Sequence, residues 1–181
     1  MDFVAREMTN ETLGFYSALD ADSEGVEGKF YTFTKAELDE ALQEDAAFFN
    51  VFYRVEPAGN WHEGKQQQPP TNILWTNRYP DQEEMERLQR CREKLMQLRA
   101  ERVRPLLDDK VLLGWNAMMV SACCKAYAAT GTESYLKMAT DTILLLENRL
   151  KDPQTGLWNH TYKAEHPKIP AFLDDYASLI Q

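Results

Sequence analysis

Three acidic clusters hold most of the side chains in this sequence that could do chemistry. In the first, Asp20-Ala21-Asp22-Ser23-Glu24-Gly25, the residues Asp20, Asp22, Glu24 and Gly25 take the spacing of positions 1, 3, 5 and 6 of a calcium loop. Position 12 of such a loop wants a bidentate Glu and is Tyr31 here, so a full EF-hand is excluded. Three readings stay open. Asp20, Asp22 and Glu24 could form a looser calcium or magnesium site, a solvated hairpin turn built from ordinary turn residues, or the polar wall of a cleft. So much charge cannot be buried unpaired.

The second cluster, Asp108-Asp109-Lys110, precedes an apolar stretch in which Trp115 and Asn116 stand out. The third, Asp174-Asp175-Tyr176, opens the last helical segment. Asp108 or Asp109 with Asp174 or Asp175 could supply the two carboxylates of an acid/base pair, as in glycoside chemistry. The competing reading is helix-end capping and ion pairing. Trp115 beside Asn116 could hold a sugar ring by stacking and hydrogen bonding; otherwise the amide belongs to a structural network. Of His62, His160 and His166, only His160 has aromatic company, in Leu157-Trp158-Asn159-His160. It reads as a loop residue before it reads as a base. The histidines show no zinc spacing, and there is no Gly-rich phosphate loop, no G-x-S-x-G and no setting for a cysteine nucleophile.

The elements that must position these groups are mostly helices. Residues 2–10 resemble the last turns of a helix. Residues 13–19 and 29–34 are two aromatic runs that predict a β-hairpin around the acidic loop. Thr34-Lys35-Ala36-Glu37 is a capping box that starts a helix. Residues 46–55 fit a strand or a short helix, and 56–72 are a loop. Asp81 with Glu84 caps a helix that runs to about Arg104, where Pro105 follows. Its stripe of Met85, Leu88, Cys91, Leu95, Leu98 and Val103 is that of an outer helix packed on one face. Residues 110–129 and 133–150 predict a helical hairpin. Gly131 ends its first member and Thr132 caps its second. The first member is apolar nearly all round, which predicts an enclosed helix. A turn at 152–156 and a helix from near Pro170 complete the chain.

Composition narrows the function classes. The chain has 181 residues, 44% hydrophobic and 11% aromatic, as in a globular protein. A net charge of −9 argues against nucleic acid and against an anionic membrane surface. Cys91, Cys123 and Cys124 form no C-x-x-C and are odd in number, which points to the reduced cytoplasm rather than a disulfide scaffold. The charged N-terminus is not a signal peptide, and polar residues interrupt the most apolar window, 111–129.

Four blocks together resemble one family. They are Gly14 to Gly25 continued by Glu27-Gly28-Lys29-Phe30-Tyr31; Gly59-Asn60-Trp61 with Asn72-Ile73-Leu74; Asp108 to Leu112 with Trp115-Asn116-Ala117; and Ala171-Phe172-Leu173-Asp174-Asp175-Tyr176-Ala177. The match is collinear over nearly the whole chain and is similar to the thioredoxin-domain-containing, spermatogenesis-associated (YyaL-type) family. The resemblance implies a mainly α fold: an incomplete stretch of a six-hairpin (α/α) barrel over 1–181, related to N-acylglucosamine 2-epimerases and six-hairpin glycosidases. The β-hairpin at 13–34 would be an insertion, with helical hairpins over 81–181 and the family's thioredoxin-like domain absent. In such barrels, carboxylates at helix starts line a sugar cavity. The resemblance thus implies catalytic roles for Asp108, Asp109, Asp174 and Asp175, and sugar contacts for Trp115, Asn116, Tyr176, Trp61 and His160. A sugar is the expected partner and no cofactor is expected beyond calcium at Asp20, Asp22 and Glu24. Twelve helices at roughly 11–12 residues and about 5 per connection need on the order of 200 residues. The five or six helices of this chain cannot close the ring, so open apolar faces and self-association are expected. A scaffold role and a metal-stabilised structural domain are the alternatives to a carbohydrate-directed one.

Overall fold

The computed structural model describes residues 1–9, 14–61 and 69–180. Leu13, His62 and Gln181, on which parts of the sequence reading fall, lie outside the described residues. In chain order the elements are α1 (Asp2–Glu7), β1 (Tyr16–Leu19), β2 (Asp22–Ser23), β3 (Val26–Glu27), α2 (Lys35–Leu42), α3 (Ala46–Phe52), α4 (Gln82–Ala100), β4 (Leu107–Leu112), α5 (Leu113–Thr130), α6 (Glu133–Arg149), β5 (Asn159–Lys163), β6 (His166–Pro170) and α7 (Leu173–Ile180). The fold is largely helical with a small antiparallel sheet. The chain divides into two compact units, Met1–Leu19 with Leu107–Gln181, and Asp20–Leu106.

The first unit contains the four-stranded antiparallel sheet, ordered β1-β4-β5-β6. Tyr16 pairs with Val111 and Leu19 with Leu107; on the other side Val111 pairs with Tyr162 and Leu112 with Thr161. Val111 is thus central in the sheet and fully buried. The edge strand β6 carries Pro167 and Pro170, residues an edge tolerates because no ladder N–H is needed from them. One core cluster joins Val111, Leu113, Leu145, Leu146, Leu150 and Tyr162; another joins Phe15, Cys123 and Ala139. Burial raises the pKa of the Cys123 thiol.

α5 and α6 form the expected helical hairpin. Gly131 closes α5 in the left-handed conformation at φ 67°, its N–H donating to Tyr127 O at 2.8 Å. Thr132 stands at the start of α6 but does not cap it with its side chain; its hydroxyl pairs with Thr130 Oγ1 instead. Three expectations are corrected in this unit. Asp108-Asp109-Lys110 lies in strand β4, not in a helix start. The segment after the 152–156 turn is the hairpin β5–β6, with His160 on a strand rather than a loop. α5 is not enclosed, since Trp115 and Met118 face solvent.

The hairpin expected over 13–34 is also corrected. β1 pairs with β4, 88 residues further along at Leu19↔Leu107. The 29–34 run forms turns and a single bridge, Phe33 to Asn72. What does exist in the acidic loop is a two-residue hairpin, β2–β3, turning on Glu24 (φ 54°) and Gly25 (φ 73°). Positive φ at both central positions is the turn whose twist suits paired strands.

The second unit is built on α2, α3 and α4. Both capping boxes read from the sequence form: Thr34 with Glu37, and Asp81 with Glu84. The ambiguous 46–55 segment resolves as helix α3. Leu88, Cys91 and Leu95 of the α4 stripe pack on Phe33, Leu38, Leu42, Phe49 and Phe52, while Met85 and Val103 stay exposed.

Candidate functional site

The predicted residues that the structure brings together are His160 and Asp175. His160 sits on β5, and the register that places Thr161 opposite Leu112 brings it to the start of α5. Asp175 lies in the first turn of α7 and is 1% exposed. Its Oδ1 accepts from Gly114 N at 2.9 Å. Its Oδ2 accepts from Phe172 N at 2.9 Å and from His160 Nδ1 at 2.7 Å. The bond from Phe172 N is half of a capping box, the N3 carboxylate reaching back to the first free N–H of α7. A carboxylate only accepts, so Nδ1 of the neutral imidazole carries the hydrogen and Nε2 keeps the lone pair. The Phe172 ring packs edge-on against His160, centroids 4.9 Å apart.

Gly114 makes this arrangement fit. A Cβ at that position would lie 2.9 Å from Asp175 Oδ1, far inside normal contact. Its signal in the sequence is a Gly in the opening turn of an otherwise apolar helix, a mark of close approach. The next residue, Trp115, is 54% exposed and presents its indole at the surface. Tyr176 Oη accepts from Trp158 N at 3.3 Å.

The remaining predicted residues do other work. Asn116 is buried in the first turn of α5. Its amide donates to Phe15 O at 3.0 Å and Leu112 O at 2.9 Å, and its oxygen accepts from Phe15 N at 2.8 Å. All three bonds go to backbone, so it ties the segment before β1 to α5 and has little left for a ligand. Asp108 is paired with Lys110 at 2.6 Å; that bond holds its carboxyl below the usual pKa, with Lys163 adding to the effect. Asp109 is paired with Lys163, whose pKa it raises. Each carboxylate on β4 is thus neutralised by a lysine rather than joined to Asp175. Asp174 is exposed, and its side chain makes no hydrogen bond or ion pair among the described residues.

The acidic loop and Trp61 belong to the second unit. Asp20 Oδ1 accepts from Asp22 N at 3.1 Å, and Glu24 pairs with Lys29 at 2.6 Å. Among the described residues no group of three His, Cys, Asp or Glu side chains is arranged to hold a metal ion. Trp61 Nε1 is buried without an acceptor among the described residues, and its edge lies against Gly28, where a Cβ would be 3.2 Å away. Trp61, Phe30 and Arg102 line a cavity of about 610 Å³. Arg102 organises it by donating to Lys29 O, Phe30 O and Thr32 O and pairing with Glu37 at 2.8 Å.

Among known proteins, the chain is 29% identical over 219 aligned residues to spermatogenesis-associated protein 20 of Homo sapiens, and 28% identical over 218 to that of Mus musculus. An uncharacterized protein of Caenorhabditis elegans is 28% identical over 209 residues. The human and mouse matches cover the whole chain, and the worm match 97% of it. The chain spans only 28–29% of the length of these relatives. No protein-family model matches. A solved cellobiose 2-epimerase from Bacillus thermoamylovorans aligns with 99% of this chain and 45% of its own, at 13% identity and a TM-score of 0.38; so loose a likeness carries no weight here. The relatives bear out the resemblance read from the four sequence blocks.

Proposed function

We propose that this chain is a stretch of an (α/α) barrel that acts on a carbohydrate, with His160 as the group that moves a proton and Asp175 as the residue that positions it. The observation that carries the reading is the 2.7 Å bond from His160 Nδ1 to a fully buried carboxylate. That bond fixes one tautomer and leaves the lone pair of Nε2 to act as a base. The helical hairpin α5–α6 and the family resemblance support the barrel. The exposed Trp115, one residue from Gly114, supplies an apolar face of the kind sugars stack on. The three cysteines, none of them disulfide-bonded, suit a reducing compartment. No metal ion or cofactor enters the reading.

The chemistry follows from the geometry. His160 Nε2 removes the proton on the carbon next to the carbonyl of an open-chain aldose. The imidazolium that forms is stabilised by Asp175, whose charge Gly114 N–H and Phe172 N–H hold in place. Return of the proton from Nε2 to the same face gives starting material with exchanged hydrogen; the epimer forms when the planar enediolate turns its other face to Nε2 before the proton returns. The test is proton NMR of the chain with aldoses in D2O. Loss of the signal of the hydrogen at that carbon is expected, with a rate that falls at least about 100-fold in His160→Gln. Exchange no faster than free imidazole, or unchanged in His160→Gln, overturns the proposal.

A scaffold role has one observation in its favour. On α7, Leu173, Ala177 and Ile180 share a face and point to solvent, the surface expected of a helix that meets a protein partner. A partner that still binds His160→Gln but not Leu173→Glu/Ile180→Glu would favour it.

A further inference from the structure

In the first unit, Phe172 meets the His160–Asp175 pair twice. Its N–H donates to Asp175 Oδ2 at 2.9 Å, the oxygen that also accepts from His160 Nδ1. Its ring packs edge-on against the imidazole, centroids 4.9 Å apart and planes at 62°. A phenyl ring that presents its edge keeps its faces clear of the imidazole. Phe172 is 52% exposed and the His160 side chain 24%, so a ligand can reach both. The opposing strand is strained at the same point. Asn159 pairs with Pro170 and Thr161 with Lys168, which sets Ile169 opposite His160. Ile169 has φ 63°, a region a β-branched side chain enters only under strain. Pro170 after it favours extended backbone there instead. No turn or helix end accounts for this φ, because the ladder continues past it to Ala171 N, which donates to Trp158 O at 2.9 Å. Such strain collects where ligands are held. The lysines of the hairpin lie elsewhere. Side chains alternate along a strand, so Lys163 shares with Thr161 the face of β5 turned away from His160. Lys168, paired with Thr161, is on that face too. The charged groups in the first turn of α7 are both carboxylates, Asp174 and Asp175.

Given the carbohydrate reading proposed above, on which this rests, we infer that Phe172 is a substrate-contact residue. An aldose lays the C–H face of its chain on the phenyl ring, which holds it beside His160. A carbon in contact with the ring stands about 4 Å from it. The imidazole is centred 4.9 Å from the ring centre, so one aldose spans both groups. The site takes a neutral aldose in preference to its phosphate ester. A phosphate at this end of α7 meets Asp174 and Asp175, and like charges repel. The N-terminus of α7, which could otherwise attract an anion, already holds the Asp175 carboxylate. No lysine of the hairpin shares the face of His160 to receive it.

Two measurements on the chain separate this contact from the reaction. D-Glucitol and D-galactitol have no carbonyl and cannot exchange, so their binding, by NMR titration, reports the contact alone. Hydrogen exchange of D-glucose and D-galactose in D2O reports the reaction. Phe172→Leu keeps an apolar side chain against the imidazole and the N–H on Asp175 but removes the flat face. It should weaken alditol binding about 10-fold and raise the KM for exchange as much, with kcat within about 3-fold. Phe172→Tyr, which keeps the ring, should restore both. The melting temperature and the 15N shifts of His160, which report its tautomer, should stay those of the parent in each variant. D-Glucose 6-phosphate should show a KM about 10-fold above that of glucose. Alditol binding that Phe172→Leu weakens, with no exchange in the parent, keeps the contact and removes the reaction. Exchange in the parent with an unchanged KM in Phe172→Leu keeps the reaction and overturns the contact. A loss of kcat alone, with moved 15N shifts, makes Phe172 a positioning residue and also overturns it. So does the failure of both alditols to bind the parent. A phosphate ester with a KM equal to that of glucose overturns the preference for a neutral sugar.

Discussion

Asn116 and Asp175 were both read from the sequence as ligand-facing polar groups beside aromatic residues, and both are buried, yet they do different things. Asn116 gives every bond it makes to backbone, at Phe15 and Leu112. Removing the amide strands an N–H and two carbonyls at once. Asn116→Ala should therefore cost about 2–3 kcal/mol in denaturant unfolding; a variant as stable as the parent would show that these bonds are dispensable. Asp175 instead joins two backbone N–H groups, of Gly114 and Phe172, to the imidazole of His160. Gly114→Ala puts a methyl against Asp175 Oδ1 and should destabilise by about 1–3 kcal/mol, while slowing the hydrogen exchange that His160 is proposed to catalyse. Sequence could name Asp175 and His160 separately, because residue types and aromatic company are local properties. Their pairing was not legible, since it depends on a strand-to-helix contact that no periodicity encodes. The choice between Asp174 and Asp175 was equally closed, because it turns on which of two adjacent carboxylates faces inward.

The elements that came through in the sequence are those specified by local chemistry. The boxes Thr34–Glu37 and Asp81–Glu84 mark the starts of α2 and α4, and Gly131 marks the end of α5. The misread elements are strands whose partners are distant. The 13–19 run has its nearest β-like neighbour at 29–34, whereas its ladder lies with β4. The hairpin β5–β6 hides behind two prolines and a short loop. The start of α4 also carries a pH dependence. Glu84 accepts from Arg78 through both oxygens and from Asp81 N, and the Arg78 bonds above all hold its pKa at about 2, against 4.5 unperturbed. The folded-state value is the lower one, so its stabilisation is complete above about pH 4.5 and disappears as pH falls through about 2. The melting temperature of Glu84→Gln should therefore lie below that of the parent at neutral pH and converge on it toward pH 2. A gap that stays constant across that range would rule out this ion pair as the cause.

At the scale of the whole molecule, the distribution of apolar surface matters more than any single site. α7 is inverted relative to an ordinary surface helix: its buried residue is the carboxylate Asp175, and Leu173 and Ile180, at 86% and 85% exposed, face water. The inversion follows from the site, because the helix must turn Asp175 toward Gly114 and His160, and the i, i+4, i+7 stripe of Leu173, Ala177 and Ile180 is then left outside. A surface of this kind in water is relieved by a second copy of the same helix, so the chain should associate with itself. Light scattering behind size exclusion should give a mass that rises with concentration for the parent. Leu173→Glu/Ile180→Glu should give the mass of one chain at every concentration, with little change in melting temperature, because the replaced side chains contact almost nothing. If the parent is a monomer throughout, the stripe is not an association surface. If the double variant unfolds, those residues hold the fold in a way their exposure does not indicate, and the site-driven account of the inverted helix fails with it.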